Sequence, residues 1–140
     1  MKKLIITAIA VIFAVFNLLA GNAPEAAKKA FEAKFKGATD VKWEKENMSE
    51  WEASFKLQNL KMSANFTHEG VWLETETEMA IADLPKAVTE AIVKQYPKAE
   101  ITGASKIESA KSGIYYEADL KKAPKGVDEV HVDEKGNFIK

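Results

Sequence analysis

Residues 51–78 read WEASFKLQNLKMSANFTHEGVWLETETE, and their reading decides the fold. Trp51, Ala53, Phe55 and Leu57 alternate with Glu52, Ser54 and Lys56, the period of two that marks a strand with one buried face. Met62, Ala64 and Phe66 repeat the alternation, with Lys61, Ser63, Asn65 and Thr67 on the other side. The pair Asn59-Leu60 is the expected turn between them. After His68-Glu69-Gly70 a third strand is expected from Val71, carrying Glu74, Glu76 and Glu78 on one face. The stretch is thus an antiparallel meander.

Upstream, Val41 and Trp43 alternate with Lys42, Glu44 and Glu46 as a further strand, and Asn47-Met48-Ser49 turns the chain into Trp51. Before that, Pro24-Glu25 opens a helix. Ala27, Phe31 and Phe35, with Ala30, form an apolar stripe at helical spacing, and Gly37 stops it. Downstream the programme restarts. Asp83 is placed to cap a second helix with Pro85 in its first turn. Its stripe is Val88, Ala91, Ile92 and Tyr96, and Pro97 ends it. Strands follow at about 100–108, 114–121, 128–133 and 137–140, with turns at Pro124-Lys125-Gly126 and Glu134-Lys135-Gly136.

The two halves align as an internal duplication. Pro24 falls on Pro85, Phe35 on Tyr96, Trp51-Glu52-Ala53 on Tyr116-Glu117-Ala118, Gly70 on Gly136, and Trp72 on Phe138. Each half is one helix followed by a four-stranded meander, repeat one at 24–79 and repeat two at 83–140. A lone unit of ~55 residues is marginal. The expected fold is therefore α+β: two tandem α-β-β-β-β repeats forming one antiparallel sheet with both helices on one face.

Residues 1–23 are read differently. Lys2 and Lys3 precede an apolar run interrupted only by Thr7 and Asn17, and small residues follow at Gly21 and Ala23. A basic start, an apolar middle and a small-residue exit describe a secretory signal peptide, cleaved after Ala20 or Ala23. The run is shorter than the ~20 residues a spanning helix needs. Export makes the protein periplasmic or secreted, with no membrane attachment after cleavage.

The 140 residues contain no cysteine, so the domain needs an ordinary core without disulfides. Of the 20 Lys and Arg, Lys2 and Lys3 lie in the leader; against 21 Asp and Glu the rest carries a net charge of about −3. That charge excludes a nucleic-acid partner, which asks for a basic face.

The ordered set VKWEKE, WEASF, ANF, EGVWLETETE, DLP, YP, YYEADL and DEKGNF resembles the PepSY-like family of β-lactamase-inhibitor-like proteins. The resemblance spans the whole chain after the leader. It is carried most by the paired Gly70-Val71-Trp72 and Gly136-Asn137-Phe138 turns and by Asp83-Leu84-Pro85. It implies a tandem α/β fold like that of a secreted β-lactamase-inhibitor protein, and a relationship to domains thought to bind or inhibit peptidases. The inhibitor it resembles is held by disulfides, which this chain lacks.

Catalytic patterns are absent from the sequence. His68-Glu69 would need a histidine at position 72 to make a metalloprotease motif, and that position is Trp. There is no Gly-x-Ser-x-Gly and no glycine-rich phosphate loop. No cofactor and no enzyme activity are expected. What remains is the sheet face without helices. The candidate binding face comprises Lys42, Glu44, Glu50, Glu52, Lys56, Lys61, Asn65, Trp72, Glu74, Tyr115, Glu117, Asp119 and His131. The expected function is an exported, non-enzymatic protein- or peptide-binding module, inhibitor-like, with a partner in the cell envelope. The alternative is a small-ligand or calcium-binding periplasmic protein using Glu74, Glu76 and Glu78.

Overall fold

The computed structural model describes residues 22–139. The chain runs α1 (Glu25–Lys34), β1 (Thr39–Lys45), β2 (Glu50–Leu57), β3 (Leu60–Thr67) and β4 (Trp72–Glu78). A 3₁₀ turn at Ile81–Asp83 leads to α2 (Lys86–Gln95), β5 (Glu100–Ser109), β6 (Gly113–Lys121) and β7 (Glu129–Asp133). The strands make a seven-stranded antiparallel sheet in the order β1 to β7, and the fold is α+β. The expected signal peptide lies outside the described residues, Asn22 and Ala23 apart. Among the described residues no helix is long and apolar enough to cross a membrane.

The chain divides into two compact units. The first takes residues 22–78 together with 107–113, and the second takes 79–106 and 114–139. In the first unit Ala27, Phe31 and Phe35 lie on Ala53, Phe55, Ala64 and Phe66. Phe31 is the hub, with its ring centroid 4.9 Å from that of Phe55, 5.5 Å from Trp43 and 6.3 Å from Phe66, all near edge-to-face. Ala27, Ala53 and Ala64 are wholly buried. Their small side chains let the helix approach closely enough for the aromatics to interlock.

In the second unit Val88 and Ile92 of α2, with Leu84, pack on Tyr116, Ala118, Leu120, Val130 and Val132. This core is mainly aliphatic where the first is aromatic. The local geometry is nonetheless the same. Pro24 (φ −54°, ψ 141°) and Pro85 (φ −54°, ψ 139°) precede the helices. Beyond each helix, Phe35 N–H bonds Phe31 C=O at 2.8 Å, as Tyr96 N–H bonds Ile92 C=O at 2.8 Å. Thr67 N–H bonds Val71 C=O at 2.8 Å around Gly70, and Asp133 N–H bonds Asn137 C=O at 2.9 Å around Gly136.

Several expectations are corrected. Asp83 does not cap α2; no side chain does, and Pro85 occupies the cap position. Leu84 precedes proline and is held extended at ψ 137°, so Asp83 sits outside reach of the helix amides. The β2–β3 turn is Gln58-Asn59 rather than Asn59-Leu60. Both residues have positive φ (51° and 67°), and Leu57 pairs with Leu60, which makes a two-residue type I′ hairpin. The third strand of the meander starts at Trp72, with Val71 left exposed. Where an eighth strand was expected at 137–140, the described residues make a single bridge, Val132 to Phe138. Ile139 N–H adds one bond to His131 C=O, too little for a ladder.

Candidate functional site

In the first unit, strand alternation places the even-numbered residues of β1 and β2 away from α1, and cross-strand pairing gathers them into rows. Glu44 stands opposite Glu52, Glu52 opposite Asn65, and Asn65 opposite Glu74. The next row is Lys42, Ser54, Ser63 and Glu76. Lys42, Glu44, Glu52, Asn65 and Glu74 are thus brought together as read from the sequence. Glu50 lies at the end of β2 opposite Thr67, accepting a 2.9 Å bond from the Asn47 side-chain amide. Lys56 is drawn off to the other end, 2.9 Å from Asp40, whose carboxyl that ammonium holds below its usual range. Lys61 stands beside it and reaches Glu78 at 3.4 Å.

Glu52 is the electrostatic centre of this row. Burial pushes its carboxyl above the ordinary glutamate value, and the charges of Glu46, Glu44 and Glu74 add to the rise; only the Ser54 hydroxyl, donating at 3.3 Å, opposes it. The row gathers acids that repel one another at the middle of a sheet.

Trp72 does not belong to this face. A bulge between β3 and β4 pairs Asn65 with Glu74 but Phe66 with Trp72, so one residue is skipped and the alternation reverses. The Trp72 ring packs on the first core, donates its indole N–H to Thr75 Oγ1 at 2.9 Å, and carries the Lys34 ammonium 4.0 Å from its ring centroid. Nor do Glu74, Glu76 and Glu78 converge on an ion. They share a face, but alternate residues of a strand stand ~6.5–7 Å apart, and Glu78 already pairs with Lys61.

In the second unit the corresponding face is built by β6 and β7. Tyr115, Glu117 and Asp119 stand opposite Asp133, His131 and Glu129. Tyr115 is buried, not exposed, and its ring lies 5.3 Å from the His131 ring. His131 Nε2 is hydrogen-bonded to Glu117 Oε2 at 2.9 Å and lies 3.7 Å from Glu129 Oε1. The Glu117 and Glu129 side chains are only 13% and 12% exposed. Asp119 is pushed above the usual aspartate value by burial and then by the charge of Glu117. Its carboxylate lies over Gly103, where any Cβ would collide with it.

Glu129 was not singled out from the sequence. A Glu-x-His on one strand and Glu-x-Asp on the next were legible, but nothing in either strand alone says that they pair. Among the described residues, Glu117, Glu129 and His131 are the one trio of ligand-bearing side chains whose donor atoms all lie within 4.8 Å of one another.

A family model described as "Putative beta-lactamase-inhibitor-like, PepSY-like" matches residues 49–140. The chain belongs to the PepSY-like family. Solved structures share its fold. A DUF2874 family protein from Bacteroides uniformis is 17% identical with a TM-score of 0.73, over 84% of this chain and 87% of the other. A BLIP-like protein from Bacteroides fragilis is 22% identical with a TM-score of 0.67, over 84% of each. A protein described as "putative periplasmic" from Bacteroides eggerthii is 15% identical with a TM-score of 0.74, over 86% and 88%. At these identities the likeness of this PepSY-like chain to them is one of fold. No curated protein matches the chain.

Proposed function

We propose that the protein is an exported, non-enzymatic binding module whose helix-free sheet face engages a protein or peptide of the cell envelope. The observation that carries this reading is the Glu44–Glu52–Asn65–Glu74 row. Like charges are held side by side there, and the central carboxyl is pushed up by burial and by its neighbours. A partner that brings lysine or arginine side chains to this row relieves that repulsion, so the face favours a basic segment. Lys42 in the adjacent row leaves a polar rim beside it.

Further support comes from the family's inhibitor-like description and from the BLIP-like and periplasmic descriptions of two relatives in fold. The basic and apolar leader supplies the route of export, and the paired local geometries of the two units favour an origin by duplication.

The test is capture from an envelope extract by the exported form, in parallel with a variant carrying Glu44→Lys and Glu52→Lys. The reading expects a partner retained by the first and lost by the second, with capture weakened at high salt. Equal capture by both forms overturns the acidic row as the docking surface. N-terminal sequencing of protein recovered from the periplasm tests the leader; a first residue of Met1 refutes its removal.

A further inference from the structure

The second unit's face holds an arrangement that the binding reading does not use. Glu117 stands directly across the ladder from His131, and Glu129 lies two residues before His131 on the same strand face. Their donor atoms converge: Nε2 of His131 is 2.9 Å from one carboxylate oxygen and 3.7 Å from another. Ligands bound at about 2.0–2.1 Å to a divalent first-row ion stand about 2.9 Å apart at octahedral right angles and about 3.3 Å apart in a tetrahedron. The observed separations straddle these values. All three donor atoms lie within 4.8 Å of one another, so ligation of a common ion asks the two carboxylates to draw in around the imidazole.

The setting favours a cation over a plain ion pair. Glu117 and Glu129 flank one imidazole with their side chains largely withdrawn from water, and the more exposed Asp119 stands opposite Glu129 on the ladder. Withdrawn carboxylates so close together disfavour one another unless positive charge lies between them. The Tyr115 ring beside His131 walls the site on one side and fixes the imidazole's orientation. The first unit provides an internal contrast. Its ladder pairs Glu52 with Asn65 and Ser54 with Ser63, where the second pairs Glu117 with His131 and Asp119 with Glu129. The strong ligands, imidazole and the added carboxylate, occur only in the second unit.

We propose that Glu117, Glu129 and His131 form a divalent-metal site that takes zinc, with its remaining coordination positions open to solvent. One imidazole nitrogen and two carboxylate oxygens suit a first-row ion. Calcium, an all-oxygen ion, has no use for the imidazole. The site is independent of the docking face proposed for the first unit, and stands or falls without it.

The experiment is zinc titration of the untagged protein in competition with a chromophoric chelator, with the ring signals of both histidines followed by NMR. One equivalent of zinc is expected to bind and to shift His131 while leaving His68 in place. His131→Asn, which installs the first unit's residue, and Glu129→Gln are each expected to weaken binding at least ~10-fold. Glu52→Gln is expected to leave it unchanged. Circular dichroism reports whether each variant folds, and Glu129→Gln carries the test if His131→Asn does not. Three outcomes overturn the proposal: no saturable binding by about 100 μM zinc, binding that Glu129→Gln leaves intact, or binding that moves with His68→Ala.

Discussion

At the scale of single residues, two glycines hold the turns against the helices. Gly70 and Gly136 have φ of +85° and +87°, and a Cβ on either would lie 2.5 Å from the Ala26 carbonyl oxygen or 2.8 Å from that of Ala87. Neither backbone can give way without lifting a helix. Gly70→Ala and Gly136→Ala are each expected to cost about 2–3 kcal/mol in urea unfolding. Gly37→Ala, with the same sign of φ but open space around it, is expected to cost only about 1 kcal/mol. Glu52 makes a second prediction. Its folded-state carboxyl is raised, so the native state holds the proton more tightly than the unfolded chain. Stability from this group is therefore present below the ordinary value of 4.5 and is lost as pH rises through the higher folded value. Glu52→Gln keeps the shape without the charge. It is expected to raise the melting temperature at pH 7 and to leave it nearly unchanged at pH 3.5.

At the scale of elements, the β2–β3 hairpin carries avoidable strain. A type I′ turn asks for positive φ at both central residues, and Gln58 is poorly suited to it where Asn59 is tolerable. Replacing Gln58-Asn59 by Asn-Gly is expected to stabilise the protein by about 0.5–1 kcal/mol, read as a higher urea midpoint with an unchanged slope. Helix α1 depends instead on one ring. Phe31 meets Trp43, Phe55 and Phe66 edge-on, so Phe31→Ala should cost about 3–5 kcal/mol, and Phe31→Leu much less. Both helices, their apolar stripes and the strands of residues 51–78 were legible because burial on one face imposes a period on the sequence. The Asp83 cap was misread because the proline two positions on overrules the capping preference of the aspartate.

At the scale of the whole molecule, β5 contributes to both compact units. Unfolding of either unit therefore disturbs a strand that the other uses, and the chain should melt in one transition. All three tryptophans, Trp43, Trp51 and Trp72, lie in the first unit. Ile92 is buried in the second. Ile92→Ala is expected to cost about 2–5 kcal/mol and to lower the midpoint seen by tryptophan fluorescence as much as that seen by circular dichroism. A tryptophan midpoint that stays in place would mean that the units unfold separately.

The period of the side chains alone determined that this chain makes an α+β fold, and which residues of α1, α2, β2 and β3 turn towards the cores. Periodicity is local, and for that reason it could not see three things. One skipped residue at the β3–β4 bulge turned Trp72 into the core. The buried ring of Tyr115 had the alternation of an exposed one. The meeting of Glu129 with Glu117 and His131 depends on cross-strand register, which is set by the geometry of the 122–128 connection, including the positive φ of Lys122 and Gly126. Which side chains share a face follows from the sequence; which of them touch is decided when the strands pair.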